Sequence, residues 1–176
     1  MKVCLFSLFF AITFWTTPVF SQHSQNSNRG YIVKVGDTAP DFIMQMISGD
    51  SLRLSKLQGK VVVLQFTASW CSVCRKEMPH LEKEVWQRFK DKDFVLIGVD
   101  YDEPLAKVIA FRNQMKVTYP FSLDPNADIF SRFANKKAGV TRNVVIDKNG
   151  IIVYLTRLYN TEEFEGMVKK IEELLQ

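Results

Sequence analysis

Two cysteines separated by two residues, Cys71 and Cys74, are the residues of this chain best suited to do chemistry. They stand between an apolar run and a helical pattern, so we expect them at the N-terminus of a helix. Unpaired backbone N–H groups and the helix dipole favour a thiolate there, and Arg75 and Lys76 add positive charge. Trp70 precedes the pair and is expected to cover one side of the sulfur. We predict that Cys71 attacks a disulfide and that Cys74 resolves the mixed disulfide.

A structural disulfide is the alternative interpretation of the same two cysteines. In the loop-entropy model, closing a ring of about four residues stabilises a fold by about 2 kcal/mol, against about 5 kcal/mol for a loop of about 100 residues. A pair so close in sequence is therefore a weak cross-link but a usable redox switch. The combination of strand, tryptophan, spaced cysteines and helix favours the redox interpretation.

The elements that must position the pair alternate between strands and helices, which indicates an α/β fold. Apolar, β-branched runs predict buried strands at 60–66 and 94–99. Apolar residues spaced by three and four predict helices at 71–90 and 104–114. Pro79 is expected to kink the first of these helices.

The rest of the chain predicts a hairpin at each end of the fold, a short central strand and two further helices. Together these elements predict one domain with a mixed central β-sheet flanked by helices. The N-terminal hairpin is expected at 41–54, the short strand near residue 121, a helix around 126–133, a hairpin with strands at 143–146 and 151–155, and a last helix from residue 160 or 161 to 175.

The N-terminus has the layout of a secretory signal peptide over residues 1–21. Lys2 precedes an apolar stretch, Val3 to Trp15, that is shorter than the roughly 20 residues a membrane-spanning helix needs. The small residues Val19 and Ser21 favour cleavage directly after them. An uncleaved anchor is the alternative, and only in that case do we expect contact with the membrane.

Cleavage would leave a flexible polar spacer over 22–34 and a domain over 35–176. It would also remove Cys4, so that the mature chain keeps two cysteines in a compartment where disulfides persist. We therefore expect a protein secreted across the inner membrane into the periplasm.

The composition argues against several other classes of function. Lys and Arg number 23 against 19 Asp and Glu, a formal charge of +4, and no basic run predicts nucleic-acid binding. His23 and His80 lie far apart, so with two cysteines they do not supply the roughly four ligands of a zinc site. No metal and no cofactor beyond the two thiols is predicted. The acidic run 100–103 is expected to form a solvated loop.

From about residue 35 to 176 the chain resembles the thioredoxin superfamily, specifically the extracytoplasmic TlpA/ResA-like thiol-disulfide oxidoreductases. The stretch Phe66–Pro79 contains the pattern W-C-x-x-C-R-x-E-M-P of that group and is the most specific part of the resemblance. The resemblance implies a thioredoxin fold with an N-terminal β-hairpin extension and an inserted helix. The other similar stretches are the redoxin opening Gly36–Phe42, Tyr119–Phe121 followed by Asp124, and the final hairpin Val144–Gly150.

The resemblance also implies a function. Members of this group deliver electrons to disulfides outside the cytoplasm, for example to cysteines of apocytochrome c or of other envelope proteins. The partners that it implies are protein disulfide substrates and a membrane or envelope dithiol that donates the electrons.

The sequence departs from the family pattern at positions beside the active site. Thr141 stands where the family has a cis-proline opposite the cysteines, and a cis bond before a non-proline residue costs about 3–4 kcal/mol. The peptide before Thr141 is therefore either trans or held under strain. Gln65 replaces the buried Asp that accepts a proton in thioredoxins. Glu77 is the candidate substitute, although its spacing favours orienting the loop or facing solvent.

Two other functions are weighed against disulfide reduction. Arg142, next to Thr141, is similar to the peroxiredoxin arginine that holds a catalytic thiolate, which would make Cys71 a thiol peroxidase. The peroxiredoxin motif needs Thr three residues before the cysteine, however, and Ala68 is there, so Arg142 is expected at the surface beside the site. A redox-inactive binding module on the same fold is the second alternative, because a fold does not determine a function.

Overall fold

The structure is a computed structural model that describes residues 29–176. The predicted signal peptide and residues 22–28 of the predicted spacer lie outside the described residues. Residues 29–34, the end of that spacer, are packed against the domain: Tyr31 bridges to Ala134, and the Ile32 N–H donates to the Phe133 carbonyl at 2.9 Å. The described domain therefore begins before residue 35.

The centre of the fold is a sheet of seven strands: β1 (Ile43–Met46), β2 (Ser51–Arg53), β3 (Val61–Thr67), β4 (Phe94–Tyr101), β5 (Phe121–Asp124), β6 (Arg142–Ile146) and β7 (Ile152–Leu155). Their order across the sheet is β2-β1-β5-β4-β3-β6-β7. The three central strands β5, β4 and β3 are parallel, and the remaining pairs are antiparallel, so the predicted mixed sheet is confirmed. Every residue of β3 is buried, as expected of a central strand covered on both faces.

The main helices pack on the sheet through one apolar cluster. The side chain of Asn160 accepts the Glu163 N–H at 3.0 Å, which begins the last helix where the sequence predicted it. A second apolar cluster, on the alternate residues of β3, contains both cysteines and the buried rings of Phe130 and Phe133. The helices are α1 (Ser72–His80), α2 (Gln87–Phe89), α3 (Leu105–Met115) and α4 (Thr161–Leu174).

The helical path from α1 to α2 continues through Pro79. Residues Leu81–Trp86 between them are π-helical, and the Gln87 N–H accordingly bonds to the carbonyl of Glu82, five residues back. Proline lacks the N–H of a regular helical bond, and the wider turn follows directly after it. At Pro79, where a kink was predicted, the structure shows a change of helix type within a continuous helical run.

The prediction of a helix around 126–133 is wrong. This segment forms two short 3-10 turns, Pro125–Ala127 and Phe130–Arg132. Asn126 has a left-handed φ of 58°, which interrupts a right-handed helix. The buried Asp124 carboxylate accepts the N–H groups of Ile129 at 2.7 Å and Phe130 at 2.8 Å. These main-chain donors are thus held by a side chain that lies outside the segment.

Candidate active site

The two cysteines form a disulfide at the N-terminus of α1. Cys71 is the N-cap residue, and its sulfur accepts the Cys74 N–H at 3.1 Å. Cys71 keeps 7% of its surface exposed, whereas Cys74 is completely buried. An incoming thiol or disulfide can therefore reach Cys71 first, and the partially positive helix end favours negative charge on its sulfur.

The tertiary structure places Thr141 against the disulfide. Its hydroxyl lies 3.1 Å from the sulfur of Cys71 and 3.3 Å from that of Cys74. Among residues 29–176 no peptide bond is cis, so the bond before Thr141 is trans. A hydrogen-bond donor thus occupies the position opposite the pair, and it can serve either sulfur when that sulfur carries charge.

Glu77 lies buried one turn beyond Cys74, so the expectation that it faces solvent is wrong. Its carboxylate accepts the side-chain N–H of Asn143 at 2.7 Å. Burial raises the pKa of Glu77 to about 7, although the hydrogen bond from Asn143 and the nearby amide of Gln65 act to lower it. A carboxyl group with such a pKa can accept or give up a proton near neutral pH.

Gln65 belongs to the same buried polar group. It pairs with Asn143 across β3 and β6, and its side-chain oxygen accepts the hydroxyl of Tyr119 at 2.7 Å. Asn143 was not among the site residues predicted from the sequence. It is, however, a single amide directly before an apolar run, and such an amide is a signal of buried polar contacts.

Trp70 and Arg75 shape the surface on either side of the pair. The Trp70 ring is 62% exposed and meets the Tyr101 ring edge-on, with 6.4 Å between centroids. Arg75 does not extend freely into solvent: its Nε donates to the Ser69 carbonyl at 2.9 Å, and its guanidinium lies over the ring of Phe111. The Arg75 side chain therefore holds the loop that precedes Cys71.

The acidic run after β4 also holds this loop, contrary to the prediction of a solvated segment. The Glu103 carboxylate accepts the N–H of Ser69 at 2.6 Å and its hydroxyl at 2.7 Å, and Lys107 pairs with it at 2.5 Å. Asp100 is completely buried, and neither of its carboxylate oxygens has a hydrogen-bond partner among residues 29–176. Burial, and then the nearby charge of Glu103, raise the pKa of Asp100 to about 8.

This buried carboxyl group predicts a specific dependence of stability on pH. Because the pKa of Asp100 is higher in the folded protein than its ordinary value near 4, folding favours its protonated form. Its contribution to stability is complete at acidic pH and is lost as the pH rises towards 8. A difference of one in pKa corresponds to about 1.4 kcal/mol, so Asp100→Asn should reduce the loss of unfolding free energy between about pH 5 and pH 8 by up to about 4 kcal/mol.

Urea unfolding of the oxidised protein across this range measures the effect, with the exposed Asp50→Asn as the matched control. The control should follow the unsubstituted protein. Equal pH slopes for the protein and its Asp100→Asn variant would contradict the prediction.

Arg142 is completely buried, so its predicted surface position is wrong. Its guanidinium donates to the carbonyls of Arg29 at 2.7 Å and Gly139 at 3.1 Å. The ring of Tyr31 lies 4.4 Å from it. Arg142 thus connects the N-terminal segment to the loop that carries Thr141.

Over the range 29–176, no group of three or more His, Cys, Asp and Glu side chains could hold a metal ion. None of the helices in that range is both long enough and apolar enough to span a membrane.

Comparison with known proteins identifies the family of this chain. Residues 35–155 match the AhpC/TSA family. The thiol-disulfide oxidoreductase ResA of Bacillus thuringiensis (strain Al Hakam) is 31% identical over 140 residues, which is 79% of each chain. The solution structure of a "putative protein disulfide isomerase" from Bacteroides thetaiotaomicron is 59% identical, with a TM-score of 0.81 over 83% of this chain and 92% of that one.

A second solved structure extends the likeness. The crystal structure of a "putative Thiol:disulfide interchange protein DsbE" from Chlorobium tepidum is 26% identical, with a TM-score of 0.71 over 82% of this chain and 99% of that one. These matches confirm the thioredoxin-like fold and the resemblance to thiol-disulfide oxidoreductases. They support disulfide exchange over peroxide reduction. This chain belongs to the AhpC/TSA family and, within it, to the relatives of the ResA thiol-disulfide oxidoreductases.

Proposed function

We propose that this thiol-disulfide oxidoreductase reduces disulfides of envelope proteins, with Cys71 as the attacking and Cys74 as the resolving cysteine. The observation that carries the assignment of roles is the difference in exposure between the two cysteine residues at the start of α1. The names of the relatives, which are oxidoreductases and a disulfide interchange protein, support the same chemistry.

The exchange proceeds in two thiolate–disulfide steps. The Cys71 thiolate attacks a substrate disulfide, forming a mixed disulfide and releasing one substrate thiolate. The Cys74 thiolate then attacks the Cys71 sulfur, releasing the second substrate thiolate and leaving the intramolecular disulfide seen here. The substrate gains two electrons, and the protein must recover them from a dithiol donor in the envelope.

Three neighbours are proposed to support these steps. Glu77 accepts the proton of Cys74 before the second attack, because its carboxyl is buried one turn away and has a pKa of about 7. Thr141 donates a hydrogen bond to the sulfur that carries negative charge. Trp70 offers an exposed apolar face to the substrate protein. Gln65 and Arg142 act indirectly, through Glu77 and the Thr141 loop.

The proposed location is the periplasm, reached by way of the predicted signal peptide over residues 1–21. The domain that acts there is residues 35–176, together with the packed segment 29–34.

The redox equilibrium of residues 22–176 against glutathione buffers tests this function, with thiols counted by alkylation and mass. A midpoint near the thioredoxin value of about −270 mV is expected for a reductase, whereas one near about −120 mV would indicate an oxidant. A Cys71→Ser/Cys74→Ser double variant is the control for nonspecific labelling. A pair that remains fully oxidised in every buffer would contradict the proposal and favour a structural disulfide.

A further inference from the structure

Arg29, at the start of the described chain, is connected to the redox centre by two series of hydrogen bonds. Its guanidinium forms an ion pair with Glu163 in the first turn of α4, binding Oε2 at 2.9 Å. It also donates to the carbonyl of Arg157 at 2.7 Å, while Glu163 accepts the Arg157 N–H at 3.0 Å. Arg29 and Glu163 together therefore hold both main-chain polar groups of Arg157.

The first series continues from Arg157 to Thr141. The Thr141 carbonyl accepts the Leu158 N–H at 3.1 Å and the Arg157 Nη1 at 3.4 Å. Gly139 leaves the space that the Arg157 side chain fills, since a Cβ at residue 139 would lie 2.3 Å from Arg157 Nη2. The residues that Arg29 holds thus fix the main chain of Thr141.

The second series starts from the main chain of Arg29. Its carbonyl accepts the Nη2 of Arg142 at 2.7 Å, and the Nε of Arg142 donates to the Gly139 carbonyl at 3.1 Å. The ring of Tyr31 lies 4.4 Å from the same guanidinium. The loop from Gly139 to Arg142 is therefore tied to Arg29 on both sides of Thr141.

We propose that Arg29 is a positioning residue of the redox centre, which keeps the Thr141 hydroxyl in contact with both sulfurs and thereby shifts the equilibrium towards the reduced pair. A hydroxyl bonds more strongly to a thiolate than to a neutral disulfide, so loosening Thr141 disfavours the reduced form most. The inference rests on the proposed function, because it needs the pair to cycle. In the exchange concerned, the Cys71–Cys74 disulfide and two glutathione thiols give the dithiol and one glutathione disulfide.

A double-mutant cycle between Arg29→Met and Thr141→Val tests the inference through the equilibrium constant for this exchange. Each single variant should shift the constant towards the disulfide by roughly three- to tenfold, the scale of one weakened hydrogen bond. In the Thr141→Val background, Arg29→Met should cause little further shift, because the hydroxyl that it positions is gone. Arg29→Lys can keep the ion pair with Glu163, so it should shift the equilibrium constant towards the disulfide less than Arg29→Met does.

Arg88→Met is the matched control, since Arg88 is an exposed arginine that pairs with Glu172 on the same helix α4. It should leave the equilibrium constant unchanged. Glu163→Gln replaces Arg29→Met in the cycle if that variant does not fold, because it weakens the same hydrogen bonds.

Two results would overturn the inference while the unsubstituted protein still equilibrates with glutathione. One is a lower unfolding free energy for Arg29→Met with an unchanged equilibrium constant, which indicates a purely structural role. The other is full additivity in the double variant. An unsubstituted protein that never equilibrates would instead contradict the proposed function, so the two failures can be told apart.

Discussion

Cys71→Ser is expected to lower the rate of disulfide exchange by on the order of a thousandfold or more. A serine hydroxyl is not ionised near neutral pH, so no nucleophile remains at the accessible position. The buried Cys74 cannot replace it, because its surface is completely covered. The measurement is the initial rate of reduction of a protein disulfide, such as that of insulin, with a dithiol as electron donor.

Cys74→Ser is the matched control for this prediction. It keeps the nucleophile but removes the resolving thiol, so it should form a mixed disulfide with the substrate that persists and can be detected by mass. Both cysteines outside residues 1–21 are then accounted for, since the remaining cysteine of the sequence is Cys4. A Cys71→Ser variant that retained the full rate would disprove the assignment of roles.

Glu77→Gln is expected to slow the second step, the attack of Cys74, by on the order of a hundredfold. The amide cannot accept the proton of Cys74, whereas the buried carboxylate can. Because burial raises the pKa of Glu77 to about 7, the ionised fraction grows as the pH rises through neutrality. The rate should therefore rise through that range in the unsubstituted protein, and the part of the rise due to Glu77 should disappear in the variant.

The second step can be followed alone. A mixed disulfide between Cys71 and a coloured aromatic thiol is formed, and its release by Cys74 is recorded by stopped-flow absorbance at several pH values. Glu84→Gln is the matched control, because it removes a carboxylate from the same helical path at a half-exposed position beside His80. A Glu77→Gln variant with the full rate and an unaltered pH profile would exclude Glu77 as the proton acceptor.

Much of the fold could be predicted because its signals are local. The apolar run of β3 and the Asn160 cap of α4 involve residues close in sequence, and both elements lie where the sequence predicted them. The predicted helix at 126–133 failed because a side chain from outside it, Asp124, binds two of its N–H groups.

The sequence alone was enough to predict the reactive chemistry: two cysteines one helical turn apart, after an apolar strand and a tryptophan. It also determined the α/β class, because strand and helix periodicities arise from neighbouring residues. The surroundings of the sulfurs, in contrast, depend on the tertiary structure. Glu77 and Arg142 are buried and Thr141 lies against both cysteines because segments far apart in sequence meet there. Burial and distance control pKa values and hydrogen bonds, and both depend on how these distant segments pack together.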